Sequence, residues 1–343
     1  MTRKCCAAAL AVAGMLAPIC SWAQPATHAD YRIVDRIPGA DGGWDFASVD
    51  PAAGRLYVAR SNGVMAVDLS DRKVTAALAP AHRAHAVLPL PGTREIVETD
   101  GETGLTRFID ATTGAVTAEV ATGAKPDAAF LDPATGLVAV MNAGDGTIAL
   151  VDPVRHALAG KIQVGGGLEF GVADGKGLGY VNIEDRNAIA VIDLKARRVV
   201  KSIALPGCEG PTGLALVANG TRLISACANK VAMIVDVAAA RVAGSFAIGS
   251  DPDAVLVDAA RGLAFIPCGG TGTLEVVDIH VAPHIRHAGT IPTQVGAKTG
   301  AIDPRDGRIY LPAATLAAPE AGAKRGKPVP GSFVVLVLAP VRS

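Results

Sequence analysis

The chain has 343 residues, of which 50% are apolar and 19% are charged. Its 32 Lys and Arg residues are matched by 32 Asp and Glu residues, so the net charge gives no reason to expect nucleic acid or an anionic membrane as a partner. An apolar chain with 39 Gly and 22 Pro residues is typical of a protein built from short, largely buried strands joined by tight turns.

The first 23 residues have the pattern of a secretory signal peptide. A basic start precedes an apolar run over residues 5–20, and small residues stand at the −3 and −1 positions of a cleavage site after Ala23. The run is shorter than the ~20 residues that span a bilayer, and Ile19 disfavours lipidation of Cys20. We therefore expect residues 1–23 to be removed and the protein to be periplasmic or secreted, without a membrane span.

An apolar strand that ends in aspartate returns every 41 to 43 residues along the chain. In the third of these units we predict four short strands, over residues 128–131, 137–141, 147–151 and 159–164, with Gly, Pro, Asn and Asp in the connecting turns. Four antiparallel strands per period of 40 to 45 residues indicate a β-propeller, with almost no helix. The repeated residues are Asp68, Asp110, Asp152, Asp193, Asp236 and Asp278.

The ends of the chain predict how the ring closes. After Asp278 the sequence offers an inner strand, a second strand and, beyond an insertion over residues 313–332, a third strand, but no outer one. Residues 31–37 resemble the outer strands of the other units. We therefore predict that they complete a seventh blade and that residues 24–343 form one propeller domain, because such closure removes open sheet edges.

Short motifs make the resemblance to a known family specific. G-A-K-P at 123–126 and G-S-D-P at 249–252 each precede an inner strand, and G-C-E-G-P at 207–211 is one residue longer. The run R-L-Y-V-A-R-S-N-G at 55–63 is close to a Y-V-A-N-x-G element, whereas later units depart from it, as in A-V-M-N-A-G at 139–144. The chain resembles the YVTN-repeat (YncE-like) family of exported seven-bladed propellers. Members of that family often lack an assigned activity, so the resemblance implies a binding protein more than an enzyme.

The repeated aspartates are predicted to be structural. Each one enters the turn to the outermost strand, where a carboxylate accepts hydrogen bonds from backbone N–H groups two or three residues on. These turns lie far apart on the rim of a propeller, so the six carboxylates do not form one ligand site.

Candidate ligand-binding residues follow from counting back five positions from the aspartate that ends each inner strand. In the fifth unit this position falls near Gly213, and in the others it is polar. We expect these side chains to surround the mouth of the central channel. Trp44 and Phe170 stand beside ring positions and could stack on a ligand or pack under the loops, and His82 lies three residues before a ring histidine. The ring residues are Asp45, His85, Asp127, Glu169, Asp253 and Lys298.

Three interpretations of this ring are open. It could bind a small molecule, a protein partner or a cation, with oxygen donors suited to a hard divalent ion and His85 suited to a transition metal. It could support lactonase-like hydrolase or lyase chemistry, with Glu169 or Asp127 as base and His85 or Lys298 as acid. It could also be a water-filled polar channel. The sequence contains no G-x-S-x-G, H-E-x-x-H, P-loop, EF-hand or C-x-x-C-H motif.

The cysteines and the insertion leave further questions open. After loss of the leader the cysteines are Cys208, Cys227 and Cys268, and a local disulfide between the first two fits their places in one hairpin, although the pairing stays open. The insertion over residues 313–332 is expected to overhang the face that carries the ring, as a lid, a partner contact or a surface decoration. We expect a monomer.

Overall fold

The computed structural model describes residues 1–2, 31–280, 284–319 and 326–341. Nearly all of the predicted signal peptide, and part of the insertion, therefore lie outside the described residues. Within the described residues, no helix is long and apolar enough to cross a lipid bilayer. The only helical segments there are two short 3₁₀ turns, Glu184–Arg186 and Ala218–Gly220.

The described chain forms seven four-stranded antiparallel sheets arranged as the blades of a propeller, as predicted. The first half contains β1 (Tyr31–Pro38), β2 (Trp44–Asp50), β3 (Arg55–Arg60), β4 (Gly63–Asp68), β5 (Val74–Pro80), β6 (Ala84–Pro89), β7 (Glu95–Asp100), β8 (Leu105–Asp110), β9 (Val116–Ala121), β10 (Pro126–Asp132), β11 (Leu137–Asn142), β12 (Thr147–Asp152), β13 (Ala157–Gln163) and β14 (Leu168–Ala173). The second half contains β15 (Leu178–Ile183), β16 (Ala188–Asp193), β17 (Arg198–Ala204), β18 (Pro211–Val217), β19 (Arg222–Cys227), β20 (Val231–Asp236), β21 (Arg241–Ala247), β22 (Leu256–Asp258), β23 (Leu263–Cys268), β24 (Thr273–Asp278), β25 (Arg286–Pro292), β26 (Ala301–Ile302), β27 (Ile309–Ala313) and β28 (Val334–Pro340).

Six blades use consecutive strands and the seventh joins the two ends of the chain. Blades 1 to 6 are β2–β5, β6–β9, β10–β13, β14–β17, β18–β21 and β22–β25, and blade 7 has the order β26-β27-β28-β1. In blade 7, Tyr31 pairs with Pro340 and Pro38 pairs with Val334. The predicted closure by the N-terminal strand is therefore confirmed.

The burial of each strand explains the apolar repeat. The second and third strands of a blade face neighbouring blades on both sides, so a run such as T-I-A-L-V-D in β12 is buried at every position before its aspartate. Outermost strands are half solvated, and β21 alternates between exposed and partly buried residues. The apolar repeat therefore reflects the burial of the second and third strands on both faces, between neighbouring blades.

The predicted role of the repeated aspartates is confirmed. Oδ1 of Asp110 accepts hydrogen bonds from the backbone N–H groups of Thr112 and Thr113, at 2.9 and 2.8 Å. The other five aspartates of the series each accept at least one N–H from a residue two or three positions further on. Each carboxylate fixes the turn that leads to the outer strand.

Two features left open by the sequence take definite form. Cys208 and Cys227 are joined by a disulfide with their Cα atoms 5.6 Å apart, and Cys268 is a buried free thiol. In the insertion, Leu316 forms a β-bridge with Pro328. The backbone N–H of Gly331 donates to the carboxylate of Asp41, in the loop before β2, over 2.6 Å. The described part of the insertion therefore lies on the face where the inner strands begin, as predicted.

Candidate functional site

In blades 1 to 5 the ring residue follows the first paired residue of the inner strand, and each of these strands carries a β-bulge there; in blade 6 Asp253 follows the isolated bridge of Pro252 with Cys268, and in blade 7 Lys298 precedes the inner strand by three residues. In blade 3, Pro126 pairs with Asn142 and Ala129 with Val140, so that Asp127 and Ala128 stand opposite a single residue. The inner strands of blades 1, 2, 4 and 5 shift register at the same place. A bulge bends the strand and redirects its side chains, and here it accompanies the turn of the polar residue towards the channel.

The ring member of blade 5 is Thr212, one residue before the approximate position, Gly213, that the count gave. Val217 pairs with Arg222 at the end of the inner strand, so Val217 stands where most other blades have aspartate. Counting back five positions from Val217 gives Thr212, whereas counting from the following residue, Ala218, gives Gly213. Gly213 instead lies against blade 6, because a Cβ there would come within 2.6 to 2.8 Å of the backbone of Ala254.

All six predicted ring residues line one cavity of about 730 Å³ at the mouth of the channel. The two other candidates do not contact it within the described structure. Trp44 packs against Phe333 with ring centroids 5.6 Å apart, and His82 is exposed on the loop before β6. Phe170 packs on Phe46, a lining residue, at 5.2 Å. The cavity lining outside the predicted ring residues includes Arg83, Glu184, Thr212 and Asp251.

Three of these residues come from places that the five-residue count does not reach. Glu184 follows the second strand of blade 4, and Arg83 precedes the ring position of blade 2. Asp251 is the third residue of G-S-D-P and has a φ of +61°, a left-handed conformation that is uncommon for a residue with a side chain. Its place before the ring residue Asp253 was the available signal.

A chain of ion pairs links five of the seven ring positions. His85 Nδ1 lies 2.6 Å from Asp45 Oδ2 and 3.5 Å from Asp127 Oδ1. Lys298 Nζ lies 3.7 Å from Asp45 Oδ1 and also forms a close ion pair with Asp253. Around the ring the charges therefore alternate, with Lys298 and His85 each standing between two carboxylates.

His85 is held with one nitrogen towards the carboxylates and the other away from the cavity. Its side chain is 9% exposed. The ring edge that carries Nε2 packs on Gly101, where a Cβ would come within 2.5 Å of Nε2, and this nitrogen has no hydrogen-bond partner among the described residues. Burial lowers the pKa of His85, but the hydrogen bond to Asp45 and the charge of Asp127 outweigh it and raise the pKa above its usual 6.5.

Two carboxyl groups of the ring are driven towards the protonated form. Burial raises the pKa of Asp127 to about 6, against the lowering effect of His85. Burial, and then the charges of Asp127 and Asp253, raise the pKa of Glu169 to about 9. Glu169 makes no hydrogen bond or ion pair with any residue of the described structure. The cavity thus holds more carboxylates than its cations neutralise.

One group of side chains has the donors of a metal site. Ligand atoms of Asp45, His85 and Asp127 all lie within 4.8 Å of one another. One imidazole and two carboxylates can hold a divalent ion, and the remaining coordination positions would face the cavity.

Comparison with solved structures supports the fold. A chain of the hydrazine synthase of Kuenenia stuttgartiensis is similar with a TM-score of 0.69 at 14% identity, over 79% of this chain and 92% of that chain. A chain of a mitotic checkpoint complex is similar with a TM-score of 0.71 at 13% identity, over 100% of both chains. No protein-family model and no curated protein matches the sequence. Fold and site together define a seven-bladed β-propeller with a charged cavity at one channel mouth.

Proposed function

We propose that this protein is an exported propeller of the YVTN-repeat (YncE-like) type that binds a positively charged ligand in the cavity at its channel mouth. The observation that carries the proposal is the charge of the lining. Six carboxylates, from Asp45, Asp127, Glu169, Glu184, Asp251 and Asp253, face only Arg83, Lys298 and His85 as cationic groups. A cavity of this size, with one sign of charge in excess, concentrates ligands of the opposite sign.

Glu169 is the lining residue at which a bound cation is expected to gain the most electrostatic stabilisation. In ring order it stands between Asp127 and Thr212, with no cationic residue beside it, and burial together with the neighbouring carboxylates raises its pKa to about 9. An incoming cation would favour the ionised form and release the proton. Binding is therefore expected to be coupled to proton release and to weaken as the pH falls.

Export and a monomeric state belong to the same proposal. A disulfide such as Cys208–Cys227 persists in oxidising compartments and is rare in the cytosol, which supports the predicted signal peptide over residues 1–23. A monomer is proposed because blade 7 takes its fourth strand from its own chain, so the ring is complete without a second copy.

The hydrolase or lyase alternative receives less support from the site. A histidine that transfers protons to a substrate needs one ring nitrogen within hydrogen-bond reach of it. In His85, Nδ1 is engaged by Asp45 and Nε2 is buried against Gly101. This arrangement suits a histidine that holds a bound cation or orders carboxylates better than one that serves as a catalytic acid.

The test is a thermal-shift screen of the chain from residue 24 against matched cationic, neutral and anionic small molecules and against divalent metal ions, followed by calorimetry. We expect stabilisation by cations only. Replacing two lining carboxylates, Glu169→Gln with Asp253→Asn, should weaken the binding of organic cations at least tenfold, whereas Glu102→Gln on an exposed loop should not. Binding of anionic ligands, or cation binding that the double variant leaves unchanged, would contradict the proposal.

A further inference from the structure

We propose that Asp45, His85 and Asp127 form a binding site for one first-row divalent transition-metal ion, represented by Zn²⁺. This inference rests on the proposed cation-binding function and assigns the ligand to three blades of the ring. Asp45 comes from blade 1, His85 from blade 2 and Asp127 from blade 3, so the site bridges three adjacent inner strands.

The separations of the donor atoms are close to those that an ion would impose. Donors that each lie ~2.1 Å from a metal ion stand about 3 to 3.4 Å apart in octahedral or tetrahedral geometry. His85 Nδ1 and Asp127 Oδ1 are already 3.5 Å apart. His85 Nδ1 and Asp45 Oδ2 are hydrogen-bonded at 2.6 Å, so this pair has to open by roughly half an ångström, a small side-chain rotation.

Buried polar atoms without hydrogen-bond partners occur at this cluster. Asp45 Oδ1 is shielded from solvent and has no hydrogen-bond partner among the described residues; His85 Nε2 has none either, but it packs on Gly101, away from the proposed ion. Asp45 Oδ1 forms an ion pair with Lys298 Nζ at 3.7 Å, which is longer than a hydrogen bond. A buried oxygen that lacks a hydrogen bond, beside a second carboxylate and an imidazole, is the pattern of a site completed by an ion, because native proteins hydrogen-bond nearly all such atoms.

The main chain behind the ligands is fixed by buried hydroxyl groups. Thr99 Oγ1 donates a hydrogen bond to the carbonyl oxygen of Asp127 over 2.6 Å, and it accepts one from the N–H of Ala86, next to His85, over 2.9 Å. Thr299 Oγ1 donates to the carbonyl oxygen of Asp45 over 2.7 Å. Both threonines are fully buried. Supports of this kind hold ligand backbones in place before the ion arrives.

The donor types select the class of ion. Ca²⁺ takes six to eight oxygen ligands, and Mg²⁺ keeps most of its waters. One imidazole with two carboxylates suits Zn²⁺, Fe²⁺, Co²⁺ or Mn²⁺, and three protein donors leave positions open for a second ligand from the cavity.

The experiment is equilibrium dialysis of the untagged chain from residue 24 against ZnCl₂, with metal analysis and competition calorimetry. We expect one Zn²⁺ per chain and little retention of Ca²⁺. His85→Asn and Asp127→Asn should each weaken Zn²⁺ binding at least tenfold. His82→Asn is the matched control for the histidine, and Asp71→Asn, at an exposed turn outside the cavity, is the control for the carboxylate; each should change Zn²⁺ affinity less than threefold.

A second measurement needs no variant. X-ray absorption of the wild-type Zn²⁺ complex should show nitrogen and oxygen ligands only, whereas sulfur in the first shell would move the ion to Cys268 and overturn the inference. Absence of Zn²⁺ binding, or equal losses in Asp127→Asn and Asp71→Asn, would also overturn it. If organic cations still bind and the Glu169→Gln, Asp253→Asn pair still weakens them, the metal assignment fails while the proposed function stands.

Discussion

Glu169 combines burial with the absence of a partner in the described structure, and this combination has a measurable consequence for folding. Its pKa is about 9 in the folded protein, whereas an unperturbed glutamate titrates near 4.5. Between these values the unfolded chain is ionised and the folded chain holds a proton. The folded state therefore loses stability, relative to the unfolded state, as the pH rises from about 4.5 to about 9.

Glu169→Gln should remove this loss, since glutamine is neutral at every pH. We expect the free energy of unfolding of the variant to equal that of the wild type near pH 4 and to exceed it by several kcal/mol near pH 9. Urea unfolding at four values of pH measures the difference. Glu102→Gln, on an exposed loop, is the control. A variant that is less stable than the wild type at pH 9 would show that the Glu169 carboxylate is compensated by a contact that glutamine cannot make.

At the residue scale, the sequence predicted which residues line the channel mouth better than it predicted the contacts that each side chain makes. The five-residue count found Asp45, His85 and Asp127 because each blade repeats the same inner strand. It could not show that the ring member of blade 5 is Thr212, since that inner strand ends in Val217 instead of aspartate and its end is known only from the pairing of Val217 with Arg222. Nor could it show that Trp44 packs against Phe333, because that contact joins residues almost 290 positions apart in sequence.

The loops that lead into the inner strands share a left-handed residue immediately before proline. Lys125 in G-A-K-P has a φ of +53°, Asp251 in G-S-D-P has +61°, and Gly210 in G-C-E-G-P has +62°. The longer motif thus has glycine at the position where the other two motifs hold a residue with a side chain in a strained left-handed conformation. The variation between copies has a physical reason, because glycine alone adopts this conformation without cost.

Substitutions at two of these positions should have opposite effects. Lys125→Gly is expected to raise the free energy of unfolding by about 0.5–1 kcal/mol, since release of left-handed strain exceeds the entropy cost of glycine. Gly210→Ala should lower it by about 1–2 kcal/mol, because its Cβ would also lie 3.2 Å from that of Ala228. Urea unfolding measures both. Lys125→Ala, which keeps a Cβ, is the control; a gain as large as that of Lys125→Gly would refute the strain argument.

The disulfide ties the loop before the inner strand of blade 5 to the end of the strand paired with it. Cys208 and Cys227 are 19 residues apart in sequence. Closing a loop of this length stabilises a folded chain by about 3 kcal/mol. Ala228, the residue after Cys227, lines the cavity, so the cross-link also steadies one wall of the site.

Cys208→Ala combined with Cys227→Ala should therefore lower the free energy of unfolding by about 2–4 kcal/mol. Reductant should reproduce the loss in the wild type and have no effect on the double variant. Thiol titration of the unfolded wild-type chain from residue 24 should find one free thiol, that of Cys268. Three free thiols, or a wild type that is indifferent to reductant, would contradict the pairing.

At the scale of the whole molecule, the regular period made the architecture predictable. Six aspartates at nearly constant spacing set the blade size, and the unfinished last unit required a strand from the other end of the chain. Assembly of the site depends on that closure. Lys298 of blade 7 reaches Asp45 of blade 1, and Thr299 holds the Asp45 carbonyl, across 254 residues of sequence. Contacts of this range follow from the ring and cannot be inferred from local patterns.

Removing β1 should therefore break both the fold and the site. Tyr31 and Ile37 are buried, and the ring of Tyr31 lies 4.9 Å from that of Phe265 in blade 6. A chain that begins at residue 39 would expose the apolar strand β28 as an unpaired edge, which invites association. We expect it to lose most of its stability, to aggregate on size-exclusion chromatography and to lose cation binding, whereas a chain that begins at residue 31 stays stable, monomeric and able to bind cations.

Adding a peptide of residues 31–38 to the shortened chain should restore a monomeric complex by strand addition. A monomeric chain from residue 39 with an unchanged urea midpoint would mean that the ring does not need its N-terminal strand.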